Sequence, residues 1–210
     1  MYLPEAFAET RVEVLAELMR TAAVAQLVTL TPEGLVATTL PMLFVPAAGT
    51  KGSLIGHVAR ANAQWKTSSA TVDALALFAG PDAYVSPSLY PAKREHGRVV
   101  PTWNYTGVHV HGRLIVHDEP EWKLDLVRRL TEHHERARAQ PWAVDDAPAD
   151  FVARQLGAIV GLEVAITRIE GKRKLSQNRG TADVEAVAEA LSAGSAREQA
   201  VAAEMRRPAD

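Results

Sequence analysis

The sequence predicts a mainly β fold of the α+β class, a small antiparallel barrel with helices at its periphery. Three observations carry this. β-rich runs recur along the chain, about six or seven in all, bounded by Gly and Pro turn signals. Most are not separated by the helical crossovers that a doubly wound parallel sheet requires. One run, Pro101–Val116, alternates with period 2 far longer than an ordinary strand. Val108, Val110, Leu114 and Val116 share one face of it, and His109, His111, Arg113 and His117 share the other. Successive side chains on a strand point to opposite faces, so this run has an apolar side and a cationic, hydrogen-bonding side. Gly112 within it signals a bulge or a close approach by a ligand or another backbone.

The elements follow in order. Met1–Glu9 is an extended lead-in. Thr10 and Glu13 are spaced as a capping box, which opens a helix running to about Ala23 with Val12, Leu15, Met19 and Ala22 on its apolar face. Gln26–Thr31 and Leu35–Val45 read as a hairpin around Pro32-Glu33-Gly34, with Pro41 marking an edge or a break in the second strand. Pro46–Gly52 is a turn and Ser53–Val58 a strand. Ala59–Ser68 reads as a short helix. Asp73–Phe78 is a strand, and Ala79–Lys93 an ordered loop with a short strand at Ala83–Ser86. Arg94–Arg98 is an exposed polar tip before the long strand at 102–117. Asp118 is placed to cap a helix with Pro120 in its first turn and Trp122, Leu126, Val127 and Leu130 as its stripe. Ala149–Ile159 is a second helix, Val160–Ile169 the last strand, and Gly171–Arg179 a cationic loop. Thr181 caps one terminal helix, and Ser195 with Glu198 forms a capping box for the other. The expected organisation is a barrel domain over 1–180 and a helical appendage over 181–210.

Composition narrows the function. The chain has 210 residues, with 47% hydrophobic and 23% charged, as in ordinary soluble domains. The net charge of −2 offers no global basic field for nucleic acid. There is no cysteine, which excludes disulfides and thiolate chemistry. No apolar run approaches the roughly 18 residues of a membrane span. The start, MYLPEAFAET, is acidic where a secretory signal is basic, so a cytoplasmic location is expected.

Three clusters carry chemistry. His57, Arg60 and Asn62 sit at a strand-to-helix junction and offer the charge, fork-shaped donors and oriented amides that a phosphate needs. A solvated turn, with Trp65 packed on the core, is the simpler reading of that cluster alone. Lys172-Arg173-Lys174-Leu175-Ser176-Gln177-Asn178-Arg179 offers four cations and several amide or hydroxyl groups, suited to an anion or a ring rich in acceptors. The same run also reads as a solvated basic loop. His109 and His111, with His117 farther along, form a possible pair of metal ligands. No carboxylate joins them locally, and no metal is assigned. There is no P-loop, GxGxxG, nucleophile elbow or defensible Ser/His/Asp triad, and no catalytic residue is assigned.

Five segments in order, MYLPEAF, GHVARANAQW, FAGPDAYVSPSLYPAK, VPTWNYTGVHVHG and IVGLEVAITRIEGKRKLSQNR, resemble the PaiB-type FMN-binding negative transcriptional regulators. The resemblance covers nearly the whole chain. It implies a flavin-binding split barrel similar to pyridoxamine-phosphate oxidase, and a homodimer with FMN at the subunit interface. It places His57, Arg60 and Asn62 near the FMN phosphate and ribityl chain. Trp103, Asn104 and Tyr105 fall near the isoalloxazine or the dimer seam, and Lys174, Ser176, Gln177 and Asn178 close the site. Thr38 and Thr39 are further candidate donors. The chain departs from the family pattern at Ala63, Leu89 and Arg173.

The function so implied is an FMN-binding repressor, with DNA as a partner if repression is direct. The alternative is an FMN-dependent or haem-handling oxidoreductase of the split-barrel class. A partner-binding dimer with a vestigial flavin site is the third reading.

Overall fold

The structure is a computed structural model that describes residues 1–22, 24–47 and 51–207. In chain order the elements are β1 (Ala8–Glu9), α1 (Val12–Thr21), β2 (Ala25–Thr31), β3 (Gly34–Leu40), β4 (Met42–Val45), β5 (Ser53–Ala59), α2 (Gln64–Thr67), β6 (Ala74–Val85) and α3 (Ala92–Glu95). β7 (Thr102–His117), α4 (Pro120–Glu135), α5 (Ala149–Gly157), β8 (Ile159–Lys174), α6 (Thr181–Ser192) and α7 (Ala196–Arg206) follow. The strands form one antiparallel eight-stranded sheet in the order β3-β2-β6-β7-β8-β5-β4, with β1 on β8, as in an open split barrel.

The chain divides into two compact units, Met1–Thr21 with Ala79–Val108 and Glu170–Asp210, and Ala22–Phe78 with His109–Ile169. In the second unit, the β2–β3 hairpin turns at Pro32-Glu33, where Thr31 pairs with Gly34. Gly34 takes a φ of 119°, a conformation that L side chains resist. Pro41 breaks the second predicted strand into β3 and β4, as its missing N–H demands. β5 pairs with β8 from Ser53↔Ala165 to Ala59↔Ile159. Leu54 and Val58 are buried, as are Leu27, Val110, Leu162 and Val164 of the same unit. Ile55, on the opposite face of β5, packs on Leu126 and Leu130 of α4. The buried stripe of α4 thus matches the predicted periodicity. Gly112 answers a close approach of backbone: a Cβ there would run into the Ala165 carbonyl oxygen.

The first unit has its own core. Ala83, Val85, Tyr90 and Leu175 pack with Val187 and Leu191 of α6 and Val201 and Ala202 of α7. Burial of these faces fixes the two terminal helices. Ser195 and Glu198 form the predicted capping box at α7.

Several expectations are corrected. α1 starts at Val12, one residue later than a Thr10 cap requires, and the Glu9 carboxylate accepts from the Arg11 backbone N–H at 2.9 Å just before it. Ala23 and residues 48–50 of the predicted turn lie outside the described residues. β6 is one strand, not two: the buried positions run Ala74, Ala76, Phe78 and then Ala83, Val85. The change of parity is taken up around Gly80-Pro81, which reads as a break in sequence but only shifts the pleat. The helix expected over Ala59–Ser68 is a single turn, α2. α5 stops at Gly157, two residues short of the expected end. Asp118 does not cap α4; the N-cap is Glu119, without a side-chain bond, and Asp118 binds Arg60 and Lys123 instead. β8 continues to Lys174, so the front of the predicted cationic loop is strand. Gly180, not Thr181, is the N-cap of α6.

Candidate functional site

The predicted site residues fall into two groups, one in each unit. In the first unit, β7 enters with alternating exposure: Trp103 is 54% exposed, Asn104 and Thr106 are buried, and Tyr105 is half-buried. β8 supplies the facing chemistry. Along Lys172-Arg173-Lys174 the pleat sends the two lysines to one side and Arg173 to the other. Both ammonium groups lie over Tyr105, at 5.3 Å and 6.0 Å from its ring centre. The Lys174 ammonium donates to the Thr102 hydroxyl and the Trp103 carbonyl, each at 2.5 Å. Lys172 donates to the Tyr2 carbonyl at 3.0 Å. Arg179 stacks over Tyr90 at 5.1 Å.

None of Lys172, Lys174 and Arg179 has a carboxylate partner among the described residues. Burial, and then the nearby charges of Lys172 and Arg179, push the Lys174 ammonium below its ordinary pKa of 10.5. An electropositive face beside aromatic rings results, with Trp103 meeting Tyr84 edge-on at 5.9 Å. Beneath it, Ser176 donates to the Asn104 amide oxygen at 3.0 Å, and Asn104 donates to the Met205 sulfur at 3.4 Å. Ser176 holds a φ of 69°, a costly conformation for a residue with a Cβ. Asn104 is fully buried beneath this face. Gln177 folds back on its own loop, accepting from the Leu175 N–H at 2.7 Å and donating to the Arg173 carbonyl. Asn178 is exposed and makes no side-chain hydrogen bond among the described residues.

In the second unit, the polar groups are closed on one another. The Arg60 guanidinium binds both oxygens of Asp118, the Gly157 carbonyl at 2.7 Å and the Ile159 carbonyl at 3.2 Å. Arg60 and Lys123 hold the Asp118 carboxyl far below the usual carboxylate range. Asn62 accepts from the Gln64 N–H and donates to the Thr38 hydroxyl, both at 2.9 Å, so it ties the start of α2 to β3. Thr39 donates to Gln26 at 2.9 Å. His57 differs from these: its Nδ1 is enclosed without a hydrogen-bond partner, and burial lowers its pKa below 6.5.

Sequence reasoning groups Lys172 with Lys174 in a cationic loop rather than on one face of a strand, and it misses Tyr2, Tyr84 and Asp118 as neighbours of the candidate residues. The i, i+2 spacing of the lysines was the available signal, hidden because the run was read as loop. Among the described residues no group of three or more His, Asp or Glu could hold a metal ion. Among the described residues no helix is long and apolar enough to cross a membrane.

The family described as "Putative FMN-binding domain" matches residues 1–168. Protease synthase and sporulation protein PAI 2 of Bacillus subtilis is 34% identical over 191 residues, covering 91% of this chain and 89% of that protein. Two solved structures share the fold. The FAD and heme binding protein of Mycobacterium smegmatis has a TM-score of 0.59 at 18% identity, covering 85% of this chain and 79% of that one. The flavocytochrome Anf3 of Azotobacter vinelandii has a TM-score of 0.57 at 13% identity, covering 80% of this chain and 69% of that one. The chain belongs to this FMN-binding family, PaiB-like, with a split-barrel fold and FMN as its cofactor.

Proposed function

We propose that this member of the FMN-binding family is a cytoplasmic homodimeric flavoprotein that regulates transcription, with FMN at the subunit interface and DNA as its partner. One observation carries the flavin site: Lys172, Lys174 and Arg179 converge near aromatic rings with no carboxylate to neutralise them. FMN supplies a dianionic phosphate and a planar redox-active ring whose pyrimidine edge accepts hydrogen bonds. The residues present fit that group. Lys172 and Lys174 offer charge-assisted donors to its anionic parts. Trp103 and Tyr105 offer ring surface, and an anion there offsets the neighbouring charges that, after burial, depress Lys174. The buried Asn104–Ser176 bond holds the loop that follows β8 against the start of β7, so the donors are fixed before a ligand arrives.

The dimer is supported by β3, which ends the sheet and leaves Leu35 75% and Val36 37% exposed. An apolar edge strand of this kind is ordinarily covered. The regulatory role rests on the family resemblance. On α4, Arg128 and Arg129 are paired with Asp145 and Asp125, so this helix offers little free charge to a phosphate backbone.

The experiment is a visible absorbance titration of the purified protein with FMN, followed by light scattering of the loaded protein. A shifted flavin spectrum saturating at one FMN per chain, in a dimer, is expected. An unshifted spectrum removes the flavin reading, and a monomer removes the interface. Salt-dependent retardation of DNA by the loaded protein tests regulation, and its absence rules out direct repression.

A further inference from the structure

His57 lines a cleft between β5 and the α4–α5 segment, with a volume of about 250 Å³. All of the residues lining it belong to the second unit. Its walls are apolar: Val144 and Leu156 are buried beneath it, and Trp142 and Phe151 stand half-exposed at its rim. No Asp, Glu, Lys or Arg lines it, so a charged ligand would lose its hydration there with nothing in return. The polar groups that do line it are few. They are Thr131, Gln155 and the imidazole of His57.

That imidazole is the unusual feature. Its Nδ1 is shut away from solvent with no hydrogen-bond partner in the structure, and its other nitrogen also has none among the described residues. Buried polar groups are overwhelmingly satisfied, and leaving one without a partner is destabilising. Burial also keeps the ring neutral at physiological pH, so it can donate at one nitrogen and accept at the other. A cavity of about 150 Å³ accommodates benzene. A pocket for a drug-sized ligand runs to about 300–1,000 Å³. The His57 cleft lies between these sizes, too small to enclose an entire flavin nucleotide.

We propose that this cleft is a second ligand site, for a small uncharged monocyclic aromatic molecule bearing one hydrogen-bonding group that meets His57. The ring packs against Trp142, Phe151 and Leu156, and the polar substituent meets the imidazole at Nε2, the nitrogen that is not enclosed. The proposal sets this cleft apart from the flavin donors assigned to the first unit, against the resemblance that brings His57 near the FMN phosphate, and it stands whether or not the chain is a regulator. An effector of a flavoprotein could act through it, because α4 and α5 form its walls and β8 follows α5 directly.

The test is calorimetric titration of the FMN-saturated protein with phenol, toluene and benzoate. Phenol is expected to bind one per chain. Toluene, which lacks the hydroxyl, should bind roughly tenfold more weakly, the value of one hydrogen bond to a buried group. Benzoate should not bind measurably. His57→Phe should erase the difference between phenol and toluene, and the ligand series on the unaltered protein keeps the test valid if that variant does not fold. Absence of phenol binding, equal binding of phenol and toluene, or tight binding of benzoate would overturn the proposal. Displacement of phenol by added FMN, starting from flavin-free protein, would also overturn it by making the cleft part of the flavin's own site. The flavin spectrum is read independently, so failure here leaves the FMN assignment untouched.

Discussion

Arg60 and Lys174 were both candidates for holding an anion, yet the structure treats them in opposite ways. Arg60 spends its guanidinium on Asp118 and two backbone carbonyls and joins the ends of three segments. Lys174 donates only to neutral oxygens and faces two more cations. Even within one tripeptide the contrast holds. Arg173, between Lys172 and Lys174, is buried against Glu9 and Glu204 on the other side of the strand. A cation closed on its own carboxylate holds the fold, whereas a cation left open is free to hold a ligand.

The largest effect that tests this contrast is Lys174→Gln. It should weaken FMN binding by roughly 10–150-fold, the range of one charge-assisted bond of about 1.5–3 kcal/mol. The melting temperature should change little. A flavin fluorescence titration checks the first and a thermal melt the second; unchanged affinity breaks the contrast at once. Arg60→Ala should do the reverse, lowering the melting temperature by releasing the Gly157 and Ile159 carbonyls while FMN affinity changes less than in Lys174→Gln. If affinity collapses while the melt is unchanged, Arg60 reaches the phosphate after all and the resemblance has placed it better than the geometry.

Ionic strength gives a smaller effect. FMN affinity should fall steadily as salt rises, because an open cation face is screened. An affinity indifferent to salt would move the binding energy to the rings, and Trp103→Ala would then be the more damaging change. The smallest effect is on the closed side. The Arg11 guanidinium, bonded to the Glu9 carboxylate, holds its pKa at about 2, below the ordinary 4.5. The folded chain therefore keeps this charge while the unfolded chain takes up a proton near pH 4.5. Stability from Glu9 is complete above that value and is lost as pH falls toward 2. Melts of the protein and of Glu9→Gln should converge across this window. Parallel curves would show that the bond contributes nothing.

Much of this was legible in the chain. The long alternating strand at 102–117, the hairpin at Pro32-Glu33-Gly34 and the α7 capping box appear where periodicity and turn chemistry put them. The errors have one physical source: a local signal was outweighed by a distant partner. Thr10 has a good capping sequence, but α1 starts a residue later, beside a Glu9 carboxylate held by Arg11 and Arg173. Asp118 sits where a cap belongs, but two cations from elsewhere hold it. The GKRK run looks like a solvated loop because its charges hide a strand whose middle residue is neutralised by residues far along the chain. Asn104 and Thr106 lie on the buried face of β7, a polar pair that the apolar alternation from Val108 onward did not announce. The site was legible as a set of residue types. Which of them were already occupied was not.

The pairing of β5 with β8 has a consequence for how the protein is made. Ser53 finds Ala165, and Ala59 finds Ile159, only after about a hundred or more intervening residues have been synthesised. Until then β5 is a nascent strand with one bare edge, and such long-range pairings fold slowly. A chain stalled after α4 carries that edge exposed and should aggregate, whereas the full chain should not. Ribosome-stalled or truncated products ending near Glu135 are therefore the form in which this protein is most dependent on chaperones.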